Sequence, residues 1–514
     1  MTATGERLFQ GADWNFPILQ RVHDACEEIA RSELGLNVYP NQIEVITAEQ
    51  MLDAYSSVGM PLFYKHWSFG KHFAFQEASY RKGLMGLAYE IVINSSPCIS
   101  YLMEENTATM QTLVIAHAAF GHNHFFKNNY LFKQWTDADG ILDYLEFAKG
   151  YVAQCEERHG RQAVERTLDA AHALMSHGIY RYPGKKQLDL RADEKRAGQR
   201  RQHEESMFND LWRTVPTGPA KSKAVLSIER RRTLLGLPQE NILYFLEKTA
   251  PRLQPWQREL LRIVRHIAQY FYPQSQTKVM NEGTATYVHY RILNRLHQQG
   301  RISDGNFLEF LQSHTNVVFQ PEFDDPRYSG FNPYALGFAM MQDIERIVTN
   351  PGDEDREWFP DIAGSGDVMG VLLEIWNNYR DESFIGQFLS PALMRRFRMF
   401  HLHDDPDESA GIKVDAIHDE RGYRRIRREL ARQYDVGFID ANIEVVDVDL
   451  AGDRRLMLRH TTVKGAQLNE ADARRVLQHL ADLWTYDVSL AEVDATDNVL
   501  KEYVVSPRAV AAVA

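Results

Sequence analysis

Between Asn106 and Phe126 the chain runs for 21 residues without a single Asp, Glu, Lys or Arg. A stretch of that length must be withdrawn from water, either inside a protein or inside a bilayer. Its composition decides between the two. It carries three histidines, two asparagines, a glutamine and three threonines, whereas a spanning helix needs a predominantly apolar run of about 20 residues. The expectation is a buried helix of a soluble protein, studded with polar groups that need partners, and no membrane span.

The 514 residues are enough for two to four domains. The formal net charge of -12 argues against bulk nucleic-acid binding. Cys26, Cys98 and Cys155 are far apart and show no motif spacing, so they read as core thiols in a reducing compartment. No basic segment followed by an apolar one opens the chain, so no secretory signal is expected and the location reads as cytoplasmic.

The fold class expected is mainly α, a large helical domain followed by a small α+β domain. Ser96 and Pro97 read as the cap and first position of a helix that continues through Leu102, Met110 and Leu113 toward Gly121, a natural stop. Further helices are expected at 141–157, 162–175, 239–272, 278–300, 303–312, from Asn332-Pro333 to about Val348, at 367–379 and at 391–400. Residues 183–225 carry a run of Lys and Arg followed by Pro216, Gly218 and Pro219, and read as a solvated basic insertion. His401 to Pro406 reads as a polar break. Beyond it, a basic helix near 421–434, strands at 443–450 and 455–462 around a turn at Ala451-Gly452-Asp453, a helix at 469–484 and two last strands form the α+β unit. The domains are placed at 1–404 and 405–514.

Two segments can carry chemistry. The first is His117-Ala118-Ala119-Phe120-Gly121-His122-Asn123-His124, a density of imidazoles typical of metal sites. His117 and His122 are five residues apart, which turns them about 140° away from each other on an unbroken α-helix. They converge if the helix breaks at Gly121. The second is Asn281-Glu282-Gly283-Thr284-Ala285-Thr286-Tyr287-Val288-His289. Glu282 and His289, seven apart, share a helix face, within about 20° of two full turns. The small Thr284 and Ala285 allow something to approach that surface closely. Two histidines on one helix and a glutamate on a later one is a ligand pattern of zinc hydrolases. Here, however, Ala118 stands where such enzymes carry their general base. His117, His122, Glu282 and His289 are therefore the candidate ligands of a divalent metal ion, with zinc the leading candidate. Glu104 and Glu105 are the candidate proton acceptors. The alternative is that these histidines are hydrogen-bonded core residues. His66, His72, His172, His177, His401 and His403 read as packing, helix-end or linker residues. No phosphate-binding glycine loop or nucleophile elbow is present.

Several blocks, in order, resemble the SpoVR family (stage V sporulation protein R). They are Gly86 to Asn94, Tyr101 to Asn106, His117 to Asn129, Val279 to Gly283, Asn332 to Gly337, Trp358 to Gly364 and Phe384 to Pro391. The resemblance runs from about residue 13 to the end. It implies a bacterial cytoplasmic protein of sporulation, in particular spore cortex formation, or of stress physiology. It also implies association with a PrkA-type serine kinase and a protein with a von Willebrand-like domain. It supplies no established catalytic residues. Two functions stay open: a metal-dependent hydrolase acting on an amide bond of a cell-wall-related substrate, and a non-enzymatic regulatory or scaffold protein working with the kinase.

Overall fold

The computed structural model describes residues 6–56, 64, 66–67, 90–181, 235–400, 402–404, 412–414, 419–450, 452–463 and 466–508. The basic segment at 183–225 and His72 lie outside the described residues. The chain is mainly helical with a small α+β fold near its C-terminus. It divides into two compact units, one made of Met1–Tyr151 with Tyr270–Asp435 and the other of Val152–Gln269 with Val436–Ala514.

In the first unit a three-stranded sheet has the order β1-β3-β2. β1 (Asn41–Ile46) runs parallel to β3 (Cys98–Met103), and β2 (Glu90–Ile93) runs antiparallel to it, with Glu90 opposite Leu102. The helix expected from Ser96 is corrected here. Cys98–Met103 is a central strand buried along its whole length. Such a strand shows no alternation of apolar and polar residues, so its run of apolar residues looks like that of a buried helix. Helix begins only at Ala108, where the Thr107 hydroxyl accepts from the Met110 amide at 3.1 Å.

Nor does that helix stop at Gly121. It passes from α-helix (Ala108–Ile115) into a π-helical turn (Ala116–His122) and back into α-helix (Asn123–Asn128). The core helix Lys278–Gln298 packs against this turn on one side and against the helix Pro333–Thr349 on another. Glycines set both distances. A Cβ on Gly121 would lie 2.5 Å from Ala285 Cα, and one on Gly283 would lie 2.6 Å from Gly337 Cα. The small residues around Ala285 are thus occupied by a neighbouring backbone.

The N-terminus of Lys278–Gln298 is closed by the buried Asp381, whose two carboxylate oxygens accept from the Val279 and Met280 amides at 2.8 Å each. Removing a buried acceptor leaves its donors unsatisfied, at about 1–3 kcal/mol per group. Asp381→Ala strands both amides and is therefore expected to lower unfolding stability by at least about 2 kcal/mol in urea denaturation. An unchanged midpoint and slope would show that this cap is dispensable. Asn332 caps the helix Pro333–Thr349 as expected, accepting from the Tyr334 amide at 3.0 Å.

The polar break expected at 401–406 holds a short strand, β4 (Leu402–Asp404), paired with β5 (Ile412–Val414). In the second unit β6 (Ile443–Val448), β7 (Leu456–Thr461), β8 (Val488–Val493) and β9 (Val499–Val505) form a sheet in sequence order. β7 and β8 are parallel, so a crossover must join them, and the helix Glu470–Trp484 supplies it. That helix packs on Arg161–Ala173. Among the described residues no helix is long and apolar enough to cross a membrane.

Candidate metal centre

The π-helical turn solves the spacing problem that five residues pose. With i→i+5 hydrogen bonding, a residue and its fifth successor lie roughly above one another. His117 and His122 therefore share a face without any break, their ring centroids 4.6 Å apart. Gly121 has a different task from the one expected of it, since it lets this face approach the helix that carries Glu282.

Two carboxylates complete the cluster. Glu282 Oε2 lies 3.7 Å from His117 Nε2 and 3.5 Å from His122 Nε2. Glu90 Oε1 lies 3.2 Å and 3.9 Å from the same two nitrogens. Ligand atoms about 2.0–2.2 Å from a tetrahedral ion stand about 3.3–3.6 Å from one another. The observed separations are close to those edges. His117 Nε2, Glu90 Oε2 and Glu282 Oε2 are all buried without a hydrogen-bond partner, and a buried polar atom in that condition needs an explanation.

Outer partners fix how the rings face the cluster. His122 Nδ1 is 2.9 Å from Asn281 Oδ1. A carbonyl oxygen only accepts, so His122 carries a proton on Nδ1, and its Nε2 faces the carboxylates. The Nδ1 of His117 meets His289 Nδ1 at 2.9 Å. The Tyr334 hydroxyl donates to Glu282, and its ring stacks along His117.

Burial pushes His117 down to about 4, against the opposing pull of Glu282, so the ring is neutral near pH 7. For Glu282 burial acts upward, but His122, His117 and Tyr334 outweigh it and hold the carboxyl below its ordinary range. Burial, with Glu282 adding to it, raises Glu90 well above that range. Two carboxylates this close cannot both ionise comfortably, and the neutral His117 ring does not offset them.

Of the residues singled out in the sequence, the fold brings His117, His122 and Glu282 together. It does not aim His289 at the same point. Both ring nitrogens of His289 are engaged elsewhere, with His117 Nδ1 and with His314 Nδ1, each at 2.9 Å. Glu104 and Glu105 are exposed in the turn after β3, off the histidine helix altogether, and Glu105 accepts from the Ala48 amide at 3.3 Å. They are not part of the buried cluster. Sequence reasoning missed Glu90, Asn281 and His314. For Glu90 the available signal was a carboxylate at the head of the apolar run Ile91-Val92-Ile93. For His314 it was its place four residues after Phe310, on the same helix face.

The fold and this cluster define a helical protein with a buried site of two imidazoles and two carboxylates. The chain belongs to the SpoVR family, for the family model described as SpoVR like protein matches residues 13–439. The model for the SpoVR-like C-terminal domain matches residues 441–495. The chain is 53% identical over 486 residues to a protein of Escherichia coli (strain K12) described as uncharacterized protein YcgB, covering 95% of this chain and 94% of that one. No solved structure matches.

Proposed function

We propose that this chain is a metal-dependent hydrolase that cleaves an amide bond of a cell-wall-related peptide, with His117, His122 and Glu282 holding a divalent ion and Glu90 serving as general base. The observation that carries the reading is the closeness of Glu282 Oε2 to both imidazole nitrogens, 3.7 and 3.5 Å, near the ligand–ligand edges of a tetrahedral ion. Glu90 is offset toward His117, with Oε1 at 3.2 Å and Oε2 unpartnered. That suits a group which serves the reaction beside the ion. An ion held there supplies Lewis acidity and brings the pKa of water close to 7. Glu90 takes the proton as the water oxygen bonds to the amide carbon, then returns it to the leaving nitrogen as the C–N bond breaks. The side chains of Glu90 and Glu282 keep 17% and 18% exposure against 4% and 8% for the histidines.

The substrate class and the setting rest on the family. The setting we propose is the cytoplasm, in sporulation or stress physiology, alongside a PrkA-type serine kinase and a protein with a von Willebrand-like domain.

The two carboxylates separate under substitution. Glu282→Gln is expected to lose both metal and activity. Glu90→Gln is expected to keep the metal and lose about 10²–10⁴-fold in rate, the usual worth of a general base. Mass spectrometry of peptidoglycan-derived peptides incubated with metal-loaded protein reads the rate, and elemental analysis reads the metal. Undiminished cleavage by Glu90→Gln, or intact peptides with fully loaded wild type, would refute the assignment.

A further inference from the structure

We infer that His289 and His314 are positioning residues, the second and third members of a one-way chain of imidazoles that holds His117 in the tautomer a cation requires. The inference rests on the metal reading above and deepens it.

Three rings are linked end to end. His117 Nδ1 lies 2.9 Å from His289 Nδ1, and His289 Nε2 lies 2.9 Å from His314 Nδ1. All three are buried, with 3%, 0% and 5% exposure. The last ring is fixed by aromatic contacts to Tyr290, Phe310 and Phe338, with centroids 5.0, 5.7 and 4.8 Å away. At 2.9 Å each contact needs one nitrogen to donate and the other to accept.

A neutral imidazole has one donor nitrogen and one acceptor nitrogen. Three in series therefore have two self-consistent arrangements. A cation at His117 Nε2 needs the lone pair there, which leaves the proton on Nδ1. His117 then donates to His289 Nδ1, His289 donates from Nε2 to His314 Nδ1, and His314 keeps its proton on Nε2. In the reverse arrangement His117 carries its proton on Nε2, pointed at Glu90 and Glu282. Cation binding thus selects the direction of all three rings at once. His122 is set independently by Asn281, so the two ligand imidazoles have separate supports. Outer partners of this kind orient the ligand ring and raise its basicity.

The test uses the full chain with ¹⁵N-labelled histidine, two-bond proton–nitrogen correlation, and zinc chloride as the titrant. With zinc, His122 and His117 are expected to show ligated Nε2 with the proton on Nδ1, and His289 and His314 to carry theirs on Nε2. Zinc-shifted His122 together with His289 protonated on Nδ1 would overturn the chain and leave the metal reading standing. No response of His122 to zinc would overturn both. His289→Phe, which removes the acceptor but keeps a ring, is expected to weaken zinc binding about 10–100-fold. A folded His289→Phe protein with wild-type affinity would contradict the positioning role. Should that variant fail to fold, the wild-type tautomers decide alone.

Discussion

Replacing His117 and His122 together with alanine is expected to lower divalent-metal affinity by about 10⁴-fold, enough that protein purified at micromolar concentration carries no ion. The magnitude follows from the ligand count. Zinc bound by four protein ligands gains about 10–16 kcal/mol, about 3 kcal/mol per ligand, and two ligands correspond to about 6 kcal/mol. Both imidazoles present Nε2 to the same two carboxylates, so removing them leaves Glu90 and Glu282 without a nitrogen donor. The double variant also loses the His117–His289 and His122–Asn281 contacts to the core helix, so its fold is checked alongside its affinity. Isothermal titration with zinc chloride, together with circular dichroism to confirm the helical content, checks the result. A folded double variant that binds zinc as tightly as wild type would mean that the ion, if any, lies elsewhere.

The largest stability effect is expected at Gly121. A Cβ there would meet Ala285 Cα at 2.5 Å and Ala285 Cβ at 2.9 Å. Main chain cannot turn aside as a flexible side chain can, so the two helices must separate. Overpacking costs about 1–3 kcal/mol and occasionally more. Gly121→Val, with two further methyl groups at the same point, should cost about 3 kcal/mol or more and widen the gap between the imidazoles and Glu282. Metal affinity is expected to fall along with stability, which ties packing to function at a residue that carries no chemistry of its own. Gly150, in the helix Ile141–His159, is the control. A Cβ there meets nothing within 4 Å, so Gly150→Ala should be neutral or stabilising by up to about 1 kcal/mol. Thermal unfolding of the two variants side by side makes the comparison. Similar midpoints would show that the Gly121–Ala285 approach is not a constraint.

Much of the helical architecture was legible in the sequence because amphipathic periodicity and caps such as Asn332 are local signals. The C-terminal strands were legible for the same reason, with Gly452 marking the turn. The strand at 98–103 was not. It is buried throughout, so the alternation that betrays a half-exposed strand is absent and its apolar run merged with the helix that follows. The candidate site was legible in His117, His122 and Glu282, because imidazole density and a carboxylate facing one side of a helix are visible in spacing. The way the five-residue spacing closes was not. A π-helical turn depends on what packs against it, here the Ala285 surface, and that contact joins segments more than 160 positions apart. Glu90 was hidden for a related reason. Its strand is ordinary by itself, and its partner His117 is set only by the packing of β2 against the π-helical turn. The Glu282–His289 spacing pointed to a shared helix face, and both residues do meet His117, but at opposite edges of its ring. Spacing says which face a residue occupies and not which nitrogen of a neighbour it meets.

On our proposal His117, His122 and Glu282 hold one divalent cation beside Glu90, and the most direct measurement is the metal content of protein expressed and purified without a histidine tag or chelator. Elemental analysis is expected to return about one zinc, iron or manganese ion per chain, removable by chelation and restored by a single equivalent. Protein that comes out metal-free and takes up no ion on titration, with its four side chains in place, would contradict the claim.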